Sequence, residues 1–190
     1  MTEQRPVSPS GNVLSIHQAN LRVDSLVLYK GHPARVLTLG DKIEIALDKG
    51  ETKRVRLKDI DLLHPGPLRG LHELTLDAGD FAEAWELLEG GTTRLRELAE
   101  LIHGDFTPAA AWAAWGLVAE GLWFSGTPEE IRARPRAEVE ADQAQRQARE
   151  RAARDWDDFL ARLAASQPLP EDVERLAEVE RVAWGRSEHS

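Results

Sequence analysis

The chain has 190 residues, no cysteine, 24 Lys or Arg against 33 Asp or Glu, and a formal net charge of −9 at pH 7. The lack of cysteine excludes zinc ribbons, disulfide frameworks and thiol catalysis, and the acidity opposes indiscriminate binding of polyanions. Two compact modules with a helical extension fit this length. MTEQRPVSPSGNVLS has no basic flank followed by an apolar core, and no run reaches the roughly 20 apolar residues of a membrane span, so a cytoplasmic protein with no membrane partner is expected.

Residues 1–20 are rich in Pro, Ser and Gln and are expected to form a flexible arm that orders only against a partner. From 21 to 66 the pattern turns to β. SLVLYK, PARVLTL, KIEIALD and KRVRLKDI alternate or run apolar over short stretches, separated by Gly31-His32-Pro33, Gly40-Asp41 and Asp48-Lys49-Gly50-Glu51. Closed by the DIDLL segment at 59–63, they predict a small SH3-like or cold-shock-like β-barrel, a type that binds oligonucleotides or peptides on an exposed strand face.

Charge is distributed unevenly. Residues 21–66 hold nine Lys or Arg against seven Asp or Glu, whereas 71–135 hold four against twelve, which puts the basic surface on the β module. Val55 and Leu57 alternate with Arg54, Arg56 and Lys58, predicting that these three cations share an outward face. Lys53 lies at the turn, and Lys30 and Arg35 flank the first turn. These six, Lys30, Arg35, Lys53, Arg54, Arg56 and Lys58, are the candidate RNA-binding set; equally, such charges could serve only to block edge-to-edge pairing. Tyr29 is the one aromatic there for base stacking.

His64-Pro65-Gly66-Pro67-Leu68 reads as a stiff linker. A first helix is expected over 76–89, with Asp77 and Asp80 as caps and Phe81, Ala84, Trp85 and Leu88 inward, stopped by Gly90-Gly91. Thr92 and Thr93 can cap a second helix carrying Leu95, Leu98, Ala99, Leu101 and Ile102. Thr107-Pro108 starts a third, and Gly121 suits its left-handed C-cap. A hairpin of 122–125 and 131–134 would be a wing, making 71–134 a winged helix-turn-helix. The third helix carries only Glu120 as a charge, so it lacks the Arg, Lys, Asn or Gln that read base edges. Apolar nearly all round, it should be buried twice, with the face of Ala110, Ala113, Ala114 and Leu117 docking onto protein.

Residues 136–165 hold neither Gly nor Pro and predict one long helix, about 45 Å at 1.5 Å per residue. Asp142–Arg146, Glu150–Arg154 and Asp158–Arg162 are acid-before-base pairs at four-residue spacing, marking a solvated spacer. Only its far end, Trp156, Phe159, Leu160 and Leu163, should pack. A short helix over 170–184 follows. The fold class is therefore α+β: barrel, winged helix-turn-helix, long helix.

No active site emerges. The six histidines show no HxH or HExxH spacing, phosphate-cradling glycine loops are missing, and no serine sits in a nucleophile elbow. No metal or cofactor site is expected.

The order LVLYKGHPARVLTLGDKIEIALD, then AWELLEGGTTRLRELAELIHGDFTPAAAWAAWGLVAEGLWF, then RQARERAARDWDDFLARL resembles the N-terminal region of RNase II/R-type exoribonucleases of the cyanobacterial and deinococcal kind, over about 21–184. The resemblance implies a front end that guides single-stranded RNA into a catalytic domain of the same polypeptide, where clustered aspartates and Mg²⁺ hydrolyse RNA processively from the 3′ end. None of those aspartate motifs occurs in these residues. A winged-helix protein-interaction adaptor and a transcription regulator without nuclease role are the alternatives.

Overall fold

The computed structural model describes residues 20–77, 79–165, 169, 170, 172, 173, 176 and 177. The expected arm, except for Asn20, and most of the expected helix over 170–184 lie outside them. The chain divides into two compact units, Met1–Val139 and Glu140–Ser190.

The first unit opens with five strands, β1 (Leu26–Tyr29), β2 (His32–Thr38), β3 (Ile43–Ala46), β4 (Thr52–Val55) and β5 (Asp61–His64). They form an antiparallel sheet in the order β4-β3-β2-β1-β5. No pairing between β4 and β5 closes it among the described residues. Alternation sends Val27, Ala34, Val36, Ile43, Ile45 and Val55 to one face, where with Ile60 they make the first core. The uninterrupted Leu26-Val27-Leu28 has a different cause: Leu26, on the opposite face of β1, joins a second core with Leu63, so this strand is covered on both sides.

KRVRLKDI is not one strand. It ends at Val55, and Leu57–Asp59 form a 3-10 turn. The Asp59 carboxylate accepts the Arg56 N–H at 3.2 Å, a local bond that competes with continued pairing and turns the chain toward β5. The 64–68 linker is likewise fastened down, since Leu68 N–H donates to the Asp24 carbonyl at 2.8 Å, the Ser25 hydroxyl donates to the Pro65 carbonyl at 3.1 Å, and Leu68 is fully buried.

Helices α1 (Phe81–Leu88), α2 (Leu95–His103) and α3 (Pro108–Glu120) follow, with strands β6 (Thr92–Thr93), β7 (Phe124–Thr127) and β8 (Glu130–Ala133) forming a second antiparallel sheet in the order β6-β8-β7. Helix α1 starts five residues later than Leu76. Thr92 and Thr93 do not cap α2; they pair with Arg132 and Ile131 of β8. Glu97 supplies the cap, accepting from Arg94 N–H at 3.1 Å and the Thr93 hydroxyl at 3.0 Å; these two bonds, hydroxyl first, hold its carboxyl below the usual carboxylate range. Helix α3 begins and ends where its sequence says: Thr107 Oγ1 accepts the Ala110 N–H at 3.2 Å, Pro108 is the first residue, and Gly121 closes it at φ 72°.

Helix α3 is also buried twice, inside one unit. It packs on α2 and β7, and also on β5 and the 3-10 turn Leu71–Leu74. Ala110 and Ala114 are fully buried, Leu117 is buried and Ala113 half-buried. Of the alanine face expected to dock onto another protein, Ala110, Ala114 and Leu117 belong to the second core of the same chain, while Ala113 is half-buried.

Helix α4 (Arg136–Ala164) starts in the first unit. Arg136 N–H donates to Glu89 at 2.8 Å, its guanidinium lies 3.4 Å from Glu86 and 4.9 Å over the Trp85 ring, and Val139 is buried in the second core. Residues 144–158 are exposed, as a spacer requires. Phe159 is buried and Leu163 half-buried, but Trp156 and Leu160 stay about half exposed. Glu150–Arg154 forms at 3.6 Å. Arg162 instead bonds Asp172 through two nitrogens, at 2.9 and 2.7 Å, a fork geometry that outdoes a single helical pair.

Candidate nucleic-acid interface

The six cations do not make one patch. Neighbours on a strand face opposite ways, and the β3–β4 register pairs Lys53 with Ile45 and Arg54 with Glu44. Lys53 thus shares the face of the first core's residues, whereas Arg54 lies on the other face beside a carboxylate. Arg56 and Lys58 sit at the 3-10 turn rather than on a strand, so the common outward face of Arg54, Arg56 and Lys58 is not formed by strand alternation; all three are exposed. Arg35, on β2, donates to the Arg69 carbonyl at 2.6 Å and is 3.5 Å from Asp24.

Carboxylates accompany most of these charges. Arg56 is 3.6 Å from Asp59 and Lys53 is 3.0 Å from Glu51. Hydrogen bonding to Glu51, with the attraction of its charge, holds the Lys53 ammonium above its ordinary pKa. Exposed pairs of this kind exchange partners readily, so a phosphate can replace the carboxylate, at the cost of the existing attraction.

Two of the six do converge. Lys30 and Lys53 both line a groove of about 660 Å³ on the first unit, together with Tyr29, His32, Asp48, Glu51 and Trp112. The β1–β2 turn builds one wall: Tyr29 pairs with His32 across the two residues Lys30 and Gly31, at φ 51° and 81°. Both angles are left-handed, the mirror-image turn that matches strand twist. The Lys30 ammonium lies 5.6 Å from the Tyr29 ring centre. Trp112 was not legible as a site residue, since helical spacing gives a groove-lining and a core tryptophan the same signal. No triplet of His, Asp or Glu able to hold a metal gathers among the described residues.

His64 ties the sheet to the helices. Its Nε2 bonds the Phe106 carbonyl at 2.9 Å and its Nδ1 accepts the Gly66 N–H at 2.9 Å, which defines a neutral ring with the proton on Nε2. Burial pushes its pKa below 6.5; the Phe106 carbonyl opposes this, and Arg96, stacked on Phe106 at 4.7 Å, adds to it.

Among the described residues these elements make an α+β arrangement of two antiparallel sheets and four α-helices, with no described helix long and apolar enough to cross a membrane. A family model described as a double helix-turn-helix domain, of RNase II type, matches residues 139–190. The match supports an RNase II-type helix-turn-helix module, but places it after the stretch 71–134 where one was expected, and its first residue falls at the boundary between the two units. Helix α4, expected to be a spacer, supplies most of the described part of that module. No curated protein and no solved structure matches the chain.

Proposed function

We propose that the chain is the RNA-guiding N-terminal part of an RNase II-like, processive 3′-to-5′ exoribonuclease, cytoplasmic, with Mg²⁺ held by a catalytic domain elsewhere in the same polypeptide. The observation that carries this reading is the RNase II-type helix-turn-helix match over 139–190. The first unit supports it. The five-stranded sheet has the strand number and order of an SH3-like barrel. The succession α1, β6, α2, α3, β7, β8, with β8 between β6 and β7, supports reading 71–134 as a winged helix-turn-helix.

Guidance would be electrostatic. Arg54, Arg56 and Lys58 gather the backbone of a single strand by counterion release, without reading bases, while the acidic helices repel it from the rest of the surface. The exposed residues of helix α3 are Gly116, Ala119 and Glu120, and the helix carries no Arg, Lys, Asn or Gln to read base edges, which counts against a sequence-specific transcription regulator. The carboxylates beside Lys53, Arg56 and Arg35 favour the second reading, a protein-interaction adaptor.

Changing Arg54, Arg56 and Lys58 together to Glu separates the two. RNA guidance requires at least a tenfold loss of affinity for an unstructured RNA oligomer and a shallower dependence of log K on log salt, read by filter retention across a salt series. Retention unchanged at low salt would remove these residues from the interface, and no retention by the unaltered chain would favour the adaptor.

A further inference from the structure

Lys30 occupies an unusual place. It is a non-glycine residue at φ 51°, in the first position of a turn that prefers Asn, Asp or Gly. A strained backbone held at the mouth of a groove is a reason to ask what the side chain does there. Its ammonium lies 5.6 Å from the Tyr29 ring centre, and Trp112 lines the same groove; both aromatic side chains are half-buried. The volume, about 660 Å³, is in the roughly 300–1,000 Å³ range of sites that enclose small ligands.

We infer that this groove is a stacking site for one or two unpaired bases of an RNA strand, with Lys30 on the adjoining phosphate and a preference for adenine or cytosine over uracil. The inference rests on the RNA-guiding reading and adds to it a site and a base preference. Aromatic rings held at the surface are the platform on which bases of single strands stack. The base preference follows from Asp48 and Glu51 on the lining. A carboxylate only accepts hydrogen bonds and has several lone pairs, so it can serve a second donor besides a lysine. Adenine and cytosine present an exocyclic amino group at the edge where uracil presents a carbonyl oxygen; the first two are attracted and the third repelled.

The test uses the full chain and fluorescein-labelled octamers of A, C and U at low salt, read by anisotropy. A8 and C8 should bind several-fold tighter than U8, and Tyr29→Ala should weaken A8 by about tenfold, as one lost stack implies, and erase the preference. Lys30→Asn should weaken all three a few-fold while raising Tm by about 1–3 °C, because Asn suits the turn; that opposite movement of affinity and stability is not produced by damage to the fold. Equal affinity for the three octamers, salt-sensitive and indifferent to Tyr29→Ala, would overturn the groove site and leave backbone guidance standing. Failure of every octamer to bind overturns both. A synthetic peptide of residues 1–12, which carries the Arg5-Pro6-Val7-Ser8-Pro9 pattern suited to aromatic grooves, provides the remaining arm: peptide binding lost in Tyr29→Ala with RNA binding retained makes this a peptide site and overturns the proposal.

Discussion

Helices α3 and α4 are opposites, though alanine is the most frequent residue of both. In α3 the alanines stand among Trp, Leu and Val, and the helix is enclosed by α2, β7, β5 and a 3-10 turn. In α4 they stand among Arg, Glu and Gln, and the middle of the helix is covered by nothing described. Alanine's helix propensity is the same in both; its neighbours decide whether its small side chain becomes a close-packing contact or merely tolerates solvent. The signals at the ends differ too. Thr107, Pro108 and Gly121 delimit α3 to the residue, whereas α4 is long because nothing inside it breaks a helix.

The difference is broken most severely by placing the same charge in each. Ala114→Asp puts a carboxylate at a fully buried position in the second core, and should cost several kcal/mol, enough to unfold the first unit or leave it marginal. Ala148→Asp, on the exposed stretch of α4, should cost no more than about 1 kcal/mol, mostly helix propensity. Urea unfolding followed by tryptophan fluorescence separates them; comparable midpoints for the two variants would mean that α3 is not held between the sheet and α2.

A middle-sized effect belongs to the far end of α4. Asp172 is 1% exposed, accepts two bonds from the Arg162 guanidinium, and accepts the Leu169 N–H at 2.8 Å. Asp172→Asn keeps an acceptor for the amide but removes the charge, so about 1.5–3 kcal/mol of the second unit's stability should go, the range for hydrogen bonds to charged groups. Hydrogen exchange at residues 156–164 should then quicken while residues 108–120 keep their protection. Unchanged exchange at 156–164 would make this ion pair a bystander.

What the sequence disclosed follows the same division. Strands β1 and β3 lie inside the apolar stretches that announced them, β2 and β4 start one residue before theirs, at His32 and Thr52, and α2, α3 and α4 were marked by spacing and punctuation, because these are local patterns with one dominant period each. Lys58 and Thr93 were misplaced for a local reason as well: an Asp59 side chain turned the one off the strand, and the vacant edge of β8 drew the other into pairing. The use of the alanine face, the groove beside Trp112 and the partner of Arg162 were not legible, since each depends on residues 10 to more than 60 positions away. The double helix-turn-helix match over 139–190 lay where the charge pattern suggested only a solvated rod; spacing reports an exposed face without reporting what the helix belongs to.

The smallest effect expected tests the joint that lets α3 be enclosed at all. His64 sits on β5 and bonds the carbonyl of Phe106, one residue before the α3 cap. Protonating its ring would place a proton on Nδ1, where the Gly66 N–H now donates, and would bring a charge near Arg96. With the folded pKa below the ordinary 6.5, the unfolded chain takes up the proton first as pH falls. The neutral ring's contribution is therefore complete above about pH 6.5 and declines as the pH drops from there through the folded value. His64→Gln should lose stability at pH 7.5, where the native ring is neutral and well bonded, yet show a weaker decline between pH 7 and pH 5 than the unaltered chain. Carboxylates titrate alike in both, so the difference between the two urea midpoint curves isolates this ring. Parallel curves would show that the junction between the sheet and the α3 cap does not depend on its protonation.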